Sequence, residues 1–303
     1  MKKFLIKVAP YFLAVTTILA VLGSYADGNT DDNYMHFAVE KPQNIILGDS
    51  RGSQGVIPGI LKDKLSRKFD NFSLNVVESP YGQIYLKALK RKLDPETKKG
   101  IFIVTADPWA LSLNKSVKKA QDFPEERSPL NDMHVYDRSP NYEYLLKHYT
   151  RSWFKIYTER AAIGKSNSFL HEDGWMEINV NMHKDSVAIR TKKKVAFYEG
   201  LAQQADLSQE RLRALEEIIN YLRTKGTVYL VRIPGSEKIM MIENKKFPHF
   251  SSLLHNISRK QNIKFLDFSQ KYNDYLYTDG NHLYKESGKK LTSCIADSIK
   301  AGK

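Results

Sequence analysis

Five short apolar runs, each too brief to be a helix, punctuate this chain: Ile45 to Leu47, Phe72 to Val77, Gly100 to Thr105, Thr227 to Ile233 and Ile263 to Phe268. Such runs read as buried sheet strands. Helical periods lie between most of them. Ile57, Ile60, Leu61, Leu65 and Phe69 recur at three- and four-residue spacing, as do Ile84, Tyr85, Ala88, Leu89 and Leu93. A third period starts at Ser208, an N-cap residue type, runs through Leu212, Leu215, Ile218, Ile219 and Leu222, and closes at Gly226, which suits a C′ position. Short strands joined by amphipathic helices imply parallel crossovers, so the expected class is α/β. With 303 residues, 42% of them apolar and 11% aromatic, the chain can bury a substantial core.

The N-terminus argues for export. Lys2, Lys3 and Lys7 precede an apolar run from Val8 to Leu22. As a helix, Phe4 to Ala26 reaches roughly 34 Å at about 1.5 Å per residue, enough to span a bilayer with the lysines on the cytoplasmic side. Ser24-Tyr25-Ala26 also suits signal-peptide cleavage, so residues 1–26 are expected to be a membrane anchor or a signal peptide. Both place the remainder outside the cytoplasm, anchored to the membrane or secreted. Residues 27–42 are polar, acidic at Asp31 and Asp32, and read as a linker closed by Pro42. The folded domain is expected over 43–303.

More than a hundred residues separate the third and fourth strands. The part from about 110 to 195 breaks the alternation and reads as an insertion or lid. Trp153, Trp175, Tyr136, Tyr142, Tyr144, Tyr149 and Tyr157 lie within it, and Trp109 stands at its edge. Such aromatics either face a sugar or acyl substrate or form a satellite core.

Composition excludes several function classes. The 47 basic against 34 acidic residues favour anionic surroundings. No zinc-finger spacing, RNA-binding aromatic signature or contiguous basic arm accompanies them, so nucleic acid is not an expected partner. Cys294 is the only cysteine and cannot form an internal disulfide. His-Glu-x-x-His, EF-hand, P-loop and Gly-x-Gly-x-x-Gly patterns are all missing, and His171-Glu172-Asp173 reads as an exposed loop, so neither metal nor cofactor is expected.

Two short stretches carry chemistry. The first strand stops abruptly at Gly48-Asp49-Ser50, which delivers a serine hydroxyl to a turn. A serine nucleophile needs a base, and that base needs an orienting acceptor. Tyr277-Thr278-Asp279-Gly280-Asn281-His282-Leu283 offers both: Asp279 can hold one imidazole nitrogen of His282 while the other faces outward.

Together these stretches resemble the SGNH, or GDSL-like, hydrolase superfamily over about Gln43 to Ala301. The resemblance implies a flavodoxin-like three-layer α/β/α domain with five parallel strands and Ser50, Asp279 and His282 as a catalytic triad. It also implies an oxyanion hole formed by the backbone amides of Ser50 and of Gly82, from Ser79-Pro80-Tyr81-Gly82. The third block departs from the family pattern: Val104-Thr105-Ala106-Asp107 puts Ala106 where an asparagine donor is usual. One donor is thus either lost or replaced by a group such as Arg51, Asn281 or a backbone amide. The N-terminal segment and divergent third block look like the membrane-anchored branch that includes proteins resembling alginate O-acetyltransferases and the D-alanyl transfer protein. The expected function is thus an extracytoplasmic serine esterase or O-acyltransferase acting on acylated glycan or another ester, with a membrane-bound acyl-transfer partner among those the resemblance allows. Arg51, Arg232 and Trp109 are the expected substrate-binding residues, with a structural ion pair the equal alternative for Arg232. The competing expectation is a noncatalytic envelope glycan-binding or assembly factor on a degenerate fold.

Overall fold

Side chains along the central strands point alternately into two layers of core, and the strands are hydrophobic throughout because both faces are covered. The computed structural model describes residues 1–117, 119–161 and 163–302. Its main sheet consists of β1 (Ile45–Leu47), β2 (Asp70–Asn71), β3 (Gly100–Thr105), β4 (Gly226–Arg232) and β5 (Lys264–Asp267). All are parallel, in the spatial order β2-β1-β3-β4-β5, which is the flavodoxin-like arrangement. The helices that frame the sheet and its ends are α1 (Lys2–Gly23), α2 (Ser50–Gly55), α3 (Pro58–Leu65), α4 (Gln83–Lys92), α5 (Lys184–Gln204), α6 (Gln209–Arg223), α7 (Glu237–Lys246), α8 (Phe250–Lys260) and α9 (Lys285–Ala301).

Ile46, Ile103 and Val231 pack with Leu61 and Leu65 of α3 and Leu291, Ile295 and Ile299 of α9. Leu47, Val104 and Leu230 face the other way, against α4, α6 and α8. The fold is therefore a three-layer α/β/α sandwich. Helix α6 shows how local sequence sets an element. The Ser208 hydroxyl accepts from the Arg211 amide at its N-terminus, and Leu212, Leu215, Ile218, Ile219 and Leu222 form its buried stripe.

Three expectations need correction. The second strand pairs over Asp70–Asn71, with one further bond from the Phe72 amide to Ile46 O (2.8 Å), and does not run from Phe72 to Val77. Asn71 and Asn75 side chains accept from the Ser73 and Val77 amides, so local bonds take donors that a ladder would use. Residues 27–42 are not a linker: Tyr34 and Phe37 are completely buried against Phe72, Tyr136 and Tyr144, so the domain begins well before Gln43. Gly226 does not cap α6, which ends at Arg223 with Thr224 as its cap. It opens β4 instead, where a Cβ would lie 2.0 Å from Gly100 O, a strand approach only glycine permits.

Most insertion tyrosines form core: Tyr136, Tyr144 and Tyr149 are buried. Cys294 is partly buried and free. Helix α1 is long and apolar enough to cross a membrane, and none of its apolar stretch is buried within the protein.

Candidate active site

The carboxyl end of β1 is shaped by close approaches. A Cβ on Gly48 would lie 1.8 Å from Thr105 Oγ1, and one on Gly52 would lie 2.6 Å from the same atom. Between these glycines Asp49 caps α2, its Oδ1 accepting from the Arg51 amide at 3.0 Å, so Ser50 becomes the first residue of the helix. Asn71 Nδ2 donates to Gly52 O (2.9 Å) and Val56 O (2.8 Å), tying α2 to the adjacent strand. Burial, followed by the neighbouring Asp107 carboxyl, pushes the Asp49 pKa up.

Ser50 and His282 meet across 232 positions of sequence: Ser50 Oγ lies 2.8 Å from His282 Nε2. The other ring nitrogen, Nδ1, lies 2.9 Å from Asp279 Oδ2. Asp279 also organises its own loop, because Oδ1 accepts from the Asn281 and His282 amides, both at 2.9 Å, around Gly280 at φ 85°. Burial by itself would raise the Asp279 pKa. Hydrogen bonds and charge from His282, with Lys194, outweigh it and hold the carboxyl below its ordinary range.

Helix α5 lies over this loop. Lys194 Nζ is 3.4 Å from Asp279 Oδ2, and Arg190 Nε donates to Thr278 O at 2.7 Å. Both contacts escaped sequence reasoning, since neither Lys194 nor Arg190 stands out from the other basic residues of the insertion. The insertion also reaches α2, where Trp175 Nε1 donates to Gln54 O at 3.2 Å. Beside the loop opens a cavity of about 690 Å³, walled by Val187, Val195 and Tyr277, with Lys184, Lys192 and Lys238 around it.

The three residues expected to bind substrate are buried rather than open to a ligand. Arg51, Arg232 and Trp109 are each at most 3% exposed, and all converge on Glu243, which is fully buried. Arg51 Nη2 and Trp109 Nε1 reach Glu243 Oε1 at 2.5 and 2.8 Å, and Arg232 Nη2 reaches Oε2 at 3.3 Å. Two guanidinium ions in the interior require such a counter-charge. Glu243 shares a face of α7 with buried Ile239 and Met240, and an acid on an apolar stripe was the available signal.

Gly82 stands at the N-terminus of α4, and its nearest side chains are Arg211 and Glu125, which form a buried ion pair. The residue of that block meeting the β1 end is Ser79, whose hydroxyl donates to Gly48 O at 2.8 Å. Ala106 does follow β3. Among the described residues no cluster of three or more His, Cys, Asp or Glu could hold a metal ion.

No family model and no curated protein matches this sequence. Two solved structures align over 85% of this chain and 99% of theirs. One is a carbohydrate acetylesterase from Sinorhizobium meliloti, 11% identical with a TM-score of 0.38; the other is an inhibitor-bound aryl esterase of M. smegmatis, 10% identical with a TM-score of 0.37. A likeness this distant assigns no activity, which must rest on the site itself.

Proposed function

We propose that this chain is a membrane-anchored, extracytoplasmic serine esterase or O-acyltransferase acting on acyl groups of cell-envelope or exported polysaccharide. One observation carries the reading: the unbroken hydrogen-bonded series from Ser50 Oγ through His282 to Asp279, at the carboxyl end of a parallel strand. The ionised Asp279 keeps the proton on Nδ1, leaving the Nε2 lone pair for the serine. Ser50 Oγ attacks the ester carbonyl carbon as its proton passes to Nε2, and the carbonyl oxygen becomes an oxyanion near the Ser50 amide. Collapse of this intermediate breaks the bond to the leaving alkoxide, which takes the proton from Nε2. Water or a sugar hydroxyl, deprotonated by the same nitrogen, then bonds to the acyl carbon, and the acyl bond to Ser50 Oγ breaks as Nε2 returns the proton to that oxygen.

The cavity beside the triad supports an amphiphilic acyl substrate, with apolar walls for carbon and lysines for an anionic group. Membrane attachment has support beyond α1. Tyr142 Oη donates to Ala20 O at 2.6 Å in the last turn of α1, and Tyr25 packs edge-on against Tyr157. Around this junction Leu146, Phe154 and Ile163 are exposed by 59% or more, as suits side chains at a bilayer boundary.

Labelling with a fluorophosphonate tests the chemistry. Ser50 is expected to be modified in the folded protein, and Ser50→Ala to lower ester turnover by a factor on the order of 10⁶. An unlabelled Ser50, with turnover intact in Ser50→Ala, overturns the proposal.

A further inference from the structure

We propose that the Asn281 side-chain amide is the oxyanion donor of this site, set in place by Arg51 and Glu243. The inference rests on the triad reading and adds a residue which that reading does not require.

Asn281 is 1% exposed, and its amide orientation follows from chemistry. Arg51 Nε and Nη2 approach one atom of the amide at 3.0 and 2.7 Å. A guanidinium only donates, so that atom is the oxygen Oδ1 and the nitrogen Nδ2 points the opposite way. Arg51 is held in turn by fully buried Glu243. Arg51, Glu243, Trp109 and Arg232 thus form one desolvated network that holds the Asn281 oxygen and so aims its NH₂ group into the catalytic loop.

That group lies 3.1 Å from His282 Nε2, the nitrogen to which Ser50 Oγ lies 2.8 Å away. Two donors therefore share one lone pair at rest. When Nε2 accepts the serine proton it becomes a donor itself, and Asn281 Nδ2 loses its acceptor. At that moment the carbonyl oxygen attached to the attacked carbon acquires negative charge within the same small volume. Asn281 then donates to it, a bond stronger in the transition state than in the resting enzyme. Ala106, at the end of β3, has no side-chain donor with which to compete.

Asn281→Ala and Asn281→Asp test the role. The aspartate keeps an acceptor for Arg51 and removes the N–H, so it serves where alanine fails to fold. The substrates are p-nitrophenyl acetate and its thionoester, whose sulfur is a poor hydrogen-bond acceptor. Each variant is expected to lose roughly 10²–10³-fold in kcat/KM on the oxygen ester, mostly in kcat, and much less on the thionoester. Equal losses on both esters would mean that Asn281 merely props His282, and an unchanged oxygen-ester rate would mean that it does nothing; either result overturns the inference. Fluorophosphonate labelling of wild-type Ser50 separates these outcomes from failure of the triad itself.

Discussion

Replacing Glu243 with glutamine keeps the shape of the side chain and removes the one carboxylate shared by two buried guanidinium groups. Arg51 and Arg232 are each 2% exposed, so neither can turn to water for compensation. Removing one partner of a buried ion pair typically costs about 3–5 kcal/mol. Arg51 retains Asp107 Oδ2 at 3.9 Å and Arg232 retains Ser251 Oγ at 2.6 Å, which argues for the lower half of that range. At roughly 2–4 °C per kcal/mol for a large domain, Tm should fall by about 6–16 °C. Differential scanning fluorimetry of the full chain in detergent measures this directly. Glu286→Gln is the control, because the Lys289–Glu286 pair is about half exposed and such pairs are worth ~0–1 kcal/mol. If Glu243→Gln melts within about 4 °C of wild type, as the control should, the network is not the electrostatic centre that its geometry implies. The intrinsic fluorescence of Trp109, whose indole N–H bonds the same carboxylate, should change in the variant.

Other consequences follow from burial and contact. His36 is enclosed beside Lys92, and burial first, then that charge, lowers its pKa to about 3. The unfolded chain then takes up a proton near pH 6.5 that the folded one refuses, so stability falls as pH drops from about 6.5 toward 3, by ~2 kcal/mol at pH 5. Urea titrations should show that slope in wild type and its loss in His36→Phe; identical slopes refute the assignment. Gly226→Ala places a methyl 2.0 Å from Gly100 O and should cost about 1–3 kcal/mol by wedging β3 from β4, read as a lower urea midpoint at unchanged m. Spin labels at Phe154→Cys and Ile163→Cys, in a Cys294→Ser background and in lipid nanodiscs, should favour oxygen over a polar nickel relaxant. Accessibility matching that of a label at exposed Met241→Cys would remove the bilayer contact.

The α/β layering was legible in the chain because a parallel strand buried on both faces is hydrophobic throughout, and its connecting helix carries a 3.6-residue stripe. Ser50, Asp279 and His282 stood in two short turn patterns, Gly48 before the serine and Gly280 between the acid and the base, and only their joint resemblance to a known family singled them out. Other features depended on what distant segments did to one another. Arg51, Arg232 and Trp109 have the chemistry of ligand-binding residues, and nothing in their neighbourhoods announces that one glutamate on α7 holds all three. Tyr34 and Phe37 sit among polar residues that resemble a linker until Tyr136 and Tyr144 close over them. The amide of Asn281 acquires a direction only when Arg51, 230 positions away, takes its oxygen. The sequence by itself determined the α/β class and which residues can carry a proton, since periodicity and residue chemistry are properties of the chain. The tertiary structure alone decided which charges are buried together and that His282 meets Ser50, because those depend on distances between segments that no local pattern encodes.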